Sequence, residues 1–275
     1  LHQEVEMALI GDGPTRRRFM GGAGAALAGG IAGPALARLQ DVEYEIRQAL
    51  DGAAPLVDKV LVDLPRHSDA GTSVPLTLSV DSPMSADNFV EELFAFASEN
   101  PRPRLIAAWF TPACGRAEIS TRIRLEGAQT VSAVAKTSDG GLWRGDAPVG
   151  VTFGACADVG EGPGTDSSFV PQIRVSAPAS AMKGEIVSIR TIITHPMETG
   201  LRLGNFNQYI PLRIIERFIV RSNGAEVLRV RLEPAISTNP YLAFPLLASE
   251  TTTLEFEWLD TTGAIYTRTT EMVVS

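Results

Sequence analysis

The sequence predicts an all-β chain: two antiparallel β-sandwiches preceded by one short helix. Three observations carry this reading. Apolar residues alternate with a period of two over most of the chain, turn-forming dipeptides recur at hairpin spacing, and 18 prolines and 25 glycines punctuate the 275 residues. Sandwiches of this kind run to about 100 residues each. A closed barrel is the architectural alternative.

Taken in order, residues 1–37 read as an export signal. Arg16-Arg17-Arg18 stands before a run of small residues, Gly21 to Ala32, and then Ala35-Leu36-Ala37 offers an A-x-A cleavage site. The paired arginines point to the Tat route and hence to a periplasmic protein. The small-residue run is too short and too weakly apolar for a membrane anchor. Leu39, Val42, Ile46 and Leu50 then fall on one helical face, and Asp51-Gly52 ends that helix.

From there the period is two. Lys59 to Leu64, Val74 to Val80 and Ala117 to Leu125 read as strands; in the last, Ile119, Thr121, Ile123 and Leu125 alternate with Glu118, Ser120, Arg122 and Arg124. Thr130 to Lys136, the turn Ser138-Asp139-Gly140-Gly141 and Leu142 onward form a hairpin. Phe89 to Ala97 fits helix or strand, with strand favoured by the Pro101-Arg102-Pro103 turn behind it, and Val149 to Phe153 closes this half as a short strand. Residues 38–157 therefore make the first domain. Residues 158–168 are nearly all turn formers or charges and read as a linker. The second domain, 169–275, resumes with strands over 185–194, 214–221, 225–232, 252–258 and 264–274, and Asn223-Gly224 and Thr262-Gly263 sit at hairpin turns.

Composition narrows the function. With 44% apolar and 20% charged residues the chain can bury a core, and a net charge of −8 argues against nucleic acid as partner. Two cysteines and three scattered histidines leave no thiolate zinc cluster. The nucleophile-elbow, zincin, phosphate-loop and dinucleotide motifs are missing, and the Gly21 to Gly30 run follows no strand. No self-contained catalytic constellation emerges, and no cofactor is implied.

The cysteines carry what chemistry there is. Cys156, in Gly154-Ala155-Cys156-Ala157, falls between a strand and the linker, where small neighbours would hold a thiol out on an arm. A buried structural cysteine and a disulfide with Cys114 are the other readings; exported proteins with two cysteines often pair them. Cys114 lies in a turn between two strands, as an incidental loop residue or a regulatory or pairing thiol. His195, beside Glu198, has the chemistry of a base or ligand, but with no second histidine or cysteine near it a structural role weighs more. His67 and Asp69 sit in a polar loop and carry less still.

Two stretches carry a family resemblance. Ile193-Thr194-His195-Pro196-Met197-Glu198-Thr199-Gly200, Pro234 to Leu242, Phe256-Glu257-Trp258 and Asp260 to Tyr266 resemble SoxZ. Val74 to Met84, Glu99-Asn100-Pro101, Ser120 to Leu125 and Ser138-Asp139-Gly140 resemble SoxY, its partner in periplasmic thiosulfate oxidation. The resemblance implies two immunoglobulin-like sandwiches, fused here in one chain and docked by edge-strand pairing or face packing. It also implies a non-enzymatic carrier whose thiol, at Cys156, holds thiosulfate-derived sulfur on an arm of Gly154, Ala155 and Ala157. The implied partners are a SoxAX-like c-type cytochrome that loads it, a SoxB-like dimanganese hydrolase that releases sulfate, and a SoxCD-like molybdenum–haem sulfane dehydrogenase. The family arm is Gly-Gly-Cys-Gly-Gly at a chain end; here it is Gly-Ala-Cys-Ala inside the chain, so it is stiffer and must enter a channel as two chain strands. A second implied reading is an accessory subunit of a periplasmic quinoprotein dehydrogenase system, with the cysteines in a structural disulfide.

Overall fold

The computed structural model describes residues 34–155, 170–204 and 207–275. The first half holds a helix, α1 (Pro34–Ala49), and nine strands: β1 (Leu56–Val57), β2 (Val60–Asp63), β3 (His67–Ala70), β4 (Val74–Val80), β5 (Val90–Ala97), β6 (Arg104–Phe110), β7 (Ala117–Ile123), β8 (Gln129–Thr137) and β9 (Leu142–Phe153). The second half holds β10 (Ile173–Ser176), β11 (Ser180–Ala181), β12 (Ile186–Ile193), β13 (Ile215–Ser222), β14 (Ala225–Leu232), β15 (Tyr241–Leu247), β16 (Thr252–Asp260) and β17 (Ile265–Val274).

These strands make two sheets, and both sheets run through both halves. The larger has the order β1-β9-β8-β5-β6-β14-β13-β16-β17-β11, with β3 added on β9; the smaller has the order β10-β12-β15-β7-β4-β2. The halves meet where β6 pairs antiparallel with β14, from Leu228↔Phe110 to Leu232↔Ile106, and where β15 meets β7 at Ala243↔Ser120. The docking is therefore by edge strands, and each half's exposed row of main-chain donors and acceptors is satisfied by the other.

Alternation explains the layering. In β4 the buried set is Val74, Leu76, Leu78 and Val80; in β7 it is Ala117, Ile119, Thr121 and Ile123. Their counterparts in the second half end in an aromatic cluster, with Phe218 against Trp258 at 5.0 Å between ring centroids and Phe244 at 6.0 Å. The interiors of the two halves form one continuous core. α1 covers the outside of the large sheet, where Val42, Ile46 and Leu50 pack on Phe96 and Val134. Arg104–Glu45, Arg144–Glu43 and Lys136–Asp51 ion pairs fasten its rim.

The halves are repeats. In each, a Pro-Met pair follows a strand: Met84 and Met197 are both buried and both left-handed, with φ 49°. The sulfur of each accepts the first backbone N–H of the next strand, from Val90 at 3.4 Å and from Ile215 at 3.2 Å. The later hairpins match as well: Ser138 N–H donates to Phe89 and Thr261 N–H to Ile214, while the two hydroxyls accept from those same residues.

Phe89 to Ala97 resolves as strand, and the short strand expected at Val149 to Phe153 is the end of the twelve-residue β9. His67 to Ala70, expected as a loop, is a short strand bracing β9. The linker, residues 158–168, and the leader up to residue 33 lie outside the described residues. Ala35-Leu36-Ala37 falls in the first turn of α1. Among the described residues no helix is long and apolar enough to cross a membrane.

Candidate functional site: the root of the cysteine arm

The site is where β9 ends. β3 runs parallel to β9 from His67↔Gly150 to Ala70↔Phe153, and His67 and Thr152 share a hydrogen bond of 3.0 Å. Beyond Phe153 the chain is still held. Gly71 N–H donates to Phe153 O at 2.7 Å, Leu125 N–H to Gly71 O at 2.8 Å, and Ala155 N–H to Leu125 O at 2.9 Å. This approach of three backbones needs residues without side chains. A Cβ on Gly154 would collide with the Glu126 carbonyl, and one on Gly71 with the Leu125 carbonyl. Gly154 and Ala155 thus form a clamped root. Cys156 and Ala157 lie outside the described residues, and Cys156 is the first residue after the last clamped one.

The root is wired to the second half. Next to Leu125, the Arg124 guanidinium donates to the carbonyls of Met197 at 2.7 Å and Pro234 at 3.2 Å and to the Thr238 hydroxyl at 2.8 Å. Its own carbonyl accepts from Asn100 at 2.8 Å, and Asn100 in turn accepts from Glu126 N–H. Ser237 closes the seam by donating to Thr72 O at 2.9 Å. The stretches of SoxY-like and SoxZ-like sequence therefore converge on one junction. A small cleft of about 30 Å³ opens there, lined among others by Asn100, Arg102, Glu126, Thr199 and Leu201.

Cys114 is elsewhere and is different in kind. It ends a 3₁₀ turn, Pro112–Cys114, beneath the junction, fully buried and free, with its thiol 3.4 Å from Val227 O. Burial pushes the thiol up to about 12, against which the Thr111 backbone contact acts only weakly. The repeat explains the placement. Thr111 N–H donates to Val227 O, and Glu233 N–H donates to Leu105 O in the matching turn, which puts Cys114 where the second half has the buried Ile236. Cys114 is a packing residue of the core, not an incidental loop residue, and its geometry lends nothing to a regulatory or pairing role.

His195 is also a core residue. Its Nδ1 accepts from Met197 N–H at 3.1 Å, which leaves the proton on Nε2, 3.6 Å from Asp260 Oδ2. Arg213 Nε stands 3.6 Å from the same oxygen, and Thr262 donates to the other one. Burial lowers the imidazole to about 4, more than the Asp260 charge raises it. Asp260 is desolvated too, but hydrogen bonds from Thr262 and the neighbouring Arg213 hold its carboxyl below its ordinary range. In the first half Ser82 plays the part of His195, with its hydroxyl 3.4 Å from Met84 N–H. His195 thus supports a turn, in line with the structural reading; among the described residues no group of three metal-ligating side chains occurs. His67 and Asp69 stay exposed, 3.4 Å apart.

Fold and root together define a double β-sandwich of two edge-joined repeats, with a cysteine directly past the clamped end of the first. Residues 46–156 match the family model "Sulfur oxidation protein SoxY" and residues 173–271 match "Sulphur oxidation protein SoxZ". The chain belongs to these families, one in each half, as a fused SoxYZ protein of the Sox sulfur-oxidation system. A comparison with the curated proteins gave no match. Among solved structures, superoxide reductase (neelaredoxin) from Ignicoccus hospitalis is 18% identical, covering 34% of this chain and 80% of its own, with a TM-score of 0.32. Superoxide reductase from Nanoarchaeum equitans is 11% identical over 35% of this chain and 100% of its own, at 0.31. Likenesses this partial carry no argument about function.

Proposed function

We propose that this protein is a periplasmic sulfur carrier, exported by the Tat route, that holds thiosulfate-derived sulfur covalently on Cys156. One observation carries the reading: of two cysteines, one is sealed in the core with its thiol driven up to about 12, which leaves Cys156, next to the clamped root, to do sulfur chemistry. The families of both halves support it.

In the loading step the Cys156 thiolate and the sulfane sulfur of thiosulfate form an S–S bond, and two electrons leave to the haems of a SoxAX-like cytochrome. A SoxB-like hydrolase then adds water across the bond to the sulfonate, releasing sulfate and two protons and leaving a persulfide on Cys156. A SoxCD-like dehydrogenase then oxidises the remaining sulfane sulfur to the sulfonate level, with three waters supplying the oxygens and six electrons and six protons leaving, and a second hydrolysis releases it as sulfate and restores the Cys156 thiol. The carrier's own part is positional. Gly71, Leu125 and Ala155 fix where the arm starts, and Arg124 holds the second half to that point.

The test is thiosulfate-dependent reduction of the cytochrome by the full chain. Activity is expected with the natural protein and with Cys114→Val, and not with Cys156→Ser. Undiminished reduction with Cys156→Ser would refute the carrier. A protein with no reactive thiol and no loading would instead favour the accessory-subunit reading.

A further inference from the structure

Each sheet has two outer edges, and the fold blunts or covers three of the four. β2 and β10 are only four residues long, with Pro65 behind the first and Pro171 and Pro178 flanking the second. β9 is covered by β1 and β3. The fourth edge belongs to β17, ten residues long, on which β11 covers only Val273 and Val274. Along the remainder, Ile265 to Met272, no strand pairs with its outer side among the described residues.

Parity shows which main-chain groups this leaves open. Val273 N–H donates to Ala179 O and Ser275 N–H to Ala181 O, away from β16. The β16–β17 register runs unbroken from Thr252↔Met272 to Leu259↔Ile265. Odd-numbered residues therefore turn their N–H and C=O outward, and the row formed by Ile265, Thr267, Thr269 and Glu271 is unpaired among the described residues. The side chains of these residues are exposed, while Tyr266 and Met272 alternate with them towards the core. From Ile265 to Thr270 the strand is β-branched or aromatic at every position except Arg268, and Arg268 has no ion pair among the described residues.

We propose that this edge pairs with the same edge of a second copy of the chain, antiparallel about a two-fold axis at Thr267. Register names the occupant. An axis at Arg268 would set that cation against itself, which is destabilising. An axis at Thr269 would bring Ile265 of one copy onto Val273 of the other, where β11 already sits. An axis nearer the Thr262-Gly263 turn shortens the overlap. At Thr267 the edge is complementary to itself: Tyr266 of each copy faces Arg268 of the other, a cation against a ring, and Ile265 faces Thr269. Ile265, Thr267 and Thr269 then exchange both main-chain bonds with the second copy, as β6 and β14 do within one chain. β9 lies towards the opposite edge of the large sheet, roughly 30 Å from β17 at the usual strand spacing, so both arm roots stay uncovered. The surface is independent of Cys156 and of the carrier reading.

The test is sedimentation of the full chain, in reductant, over about 1 to 100 μM, a range in which mass action exposes a two-copy equilibrium. A dimer that dissociates on dilution is expected. T267K sets two lysines against each other on the axis, and T267P removes an outward N–H while keeping the bonds to β16; each should weaken the dimer at least tenfold. At a dilution where the natural chain is a single copy, T267K should melt with it, which separates lost pairing from lost folding. Cys156→Ser should dimerise like the natural chain. A natural chain that stays a single copy throughout, undiminished dimers of T267K and T267P, or a dimer that disappears in Cys156→Ser would each overturn the proposal.

Discussion

At the scale of single residues, burial sorts the chemistry. Cys114 has the atom a sulfur carrier needs but neither the access nor the ionisation, because a thiolate in the core would lose its hydration without a charged partner. Iodoacetamide is expected to leave Cys114 unmodified in the native protein and to label it only after denaturation, as read by peptide mass mapping. Cys114→Val should be nearly neutral, since isoleucine already fills the matching position in the other repeat. His195 offers a pH signature. Its folded value near 4 lies below the ordinary 6.5, so the unfolded chain binds a proton first as pH falls. Stability is therefore full above about 6.5 and declines through the window down to about 4, by up to about 3 kcal/mol. His195→Ser, copying Ser82 of the first repeat, should flatten that decline in denaturant titrations run across the window.

At the scale of elements, the end of β9 and the junction share one set of atoms. Arg124 spends its guanidinium on carbonyls of the second half while its neighbour Leu125 holds Ala155. Arg124→Ala strands those carbonyls, at a cost of about 2 kcal/mol, and should lower the melting temperature by several degrees. Gly154→Val drives a side chain into the Glu126 carbonyl and should cost loading as well as stability, because the root itself must shift. Strands with clean alternation were legible from sequence: Val74 to Val80 and Ala225 to Leu232 match to the residue. His67 to Ala70 was not, because a four-residue strand of polar side chains has no apolar face to betray it. Nor was the character of Gly154, which reads as a flexible tether in sequence and acts as a close-approach residue in the fold.

At the scale of the whole molecule, two repeats complete each other's sheets. That symmetry hid from sequence reading because it survives in hydrogen bonds more than in residue types; the letters persist in short pairs such as Pro83-Met84 with Pro196-Met197 and Pro112-Ala113 with Pro234-Ala235. The two sandwiches were legible from strand spacing, but their shared sheets were not, since pairing between β6 and β14 joins residues more than a hundred positions apart. With five main-chain register pairs, a shared core and Arg124 across the seam, the halves should stay together when their covalent link is cut. A protease site placed within 158–168 and cleaved is expected to leave one peak in size exclusion, holding both fragments. Separation into two peaks at micromolar concentration would mean that the junction is weak and that the fusion holds the halves.

A carrier sulfur at Cys156 and a structural one at Cys114 are told apart by peptide-level mass mapping after loading the full chain with thiosulfate and a competent c-type cytochrome. A reductant-sensitive adduct is expected on the peptide that contains Cys156, with Cys114 unmodified. An adduct on Cys114, or a disulfide joining the two cysteines with no adduct on either, would rule out Cys156 as the carrier.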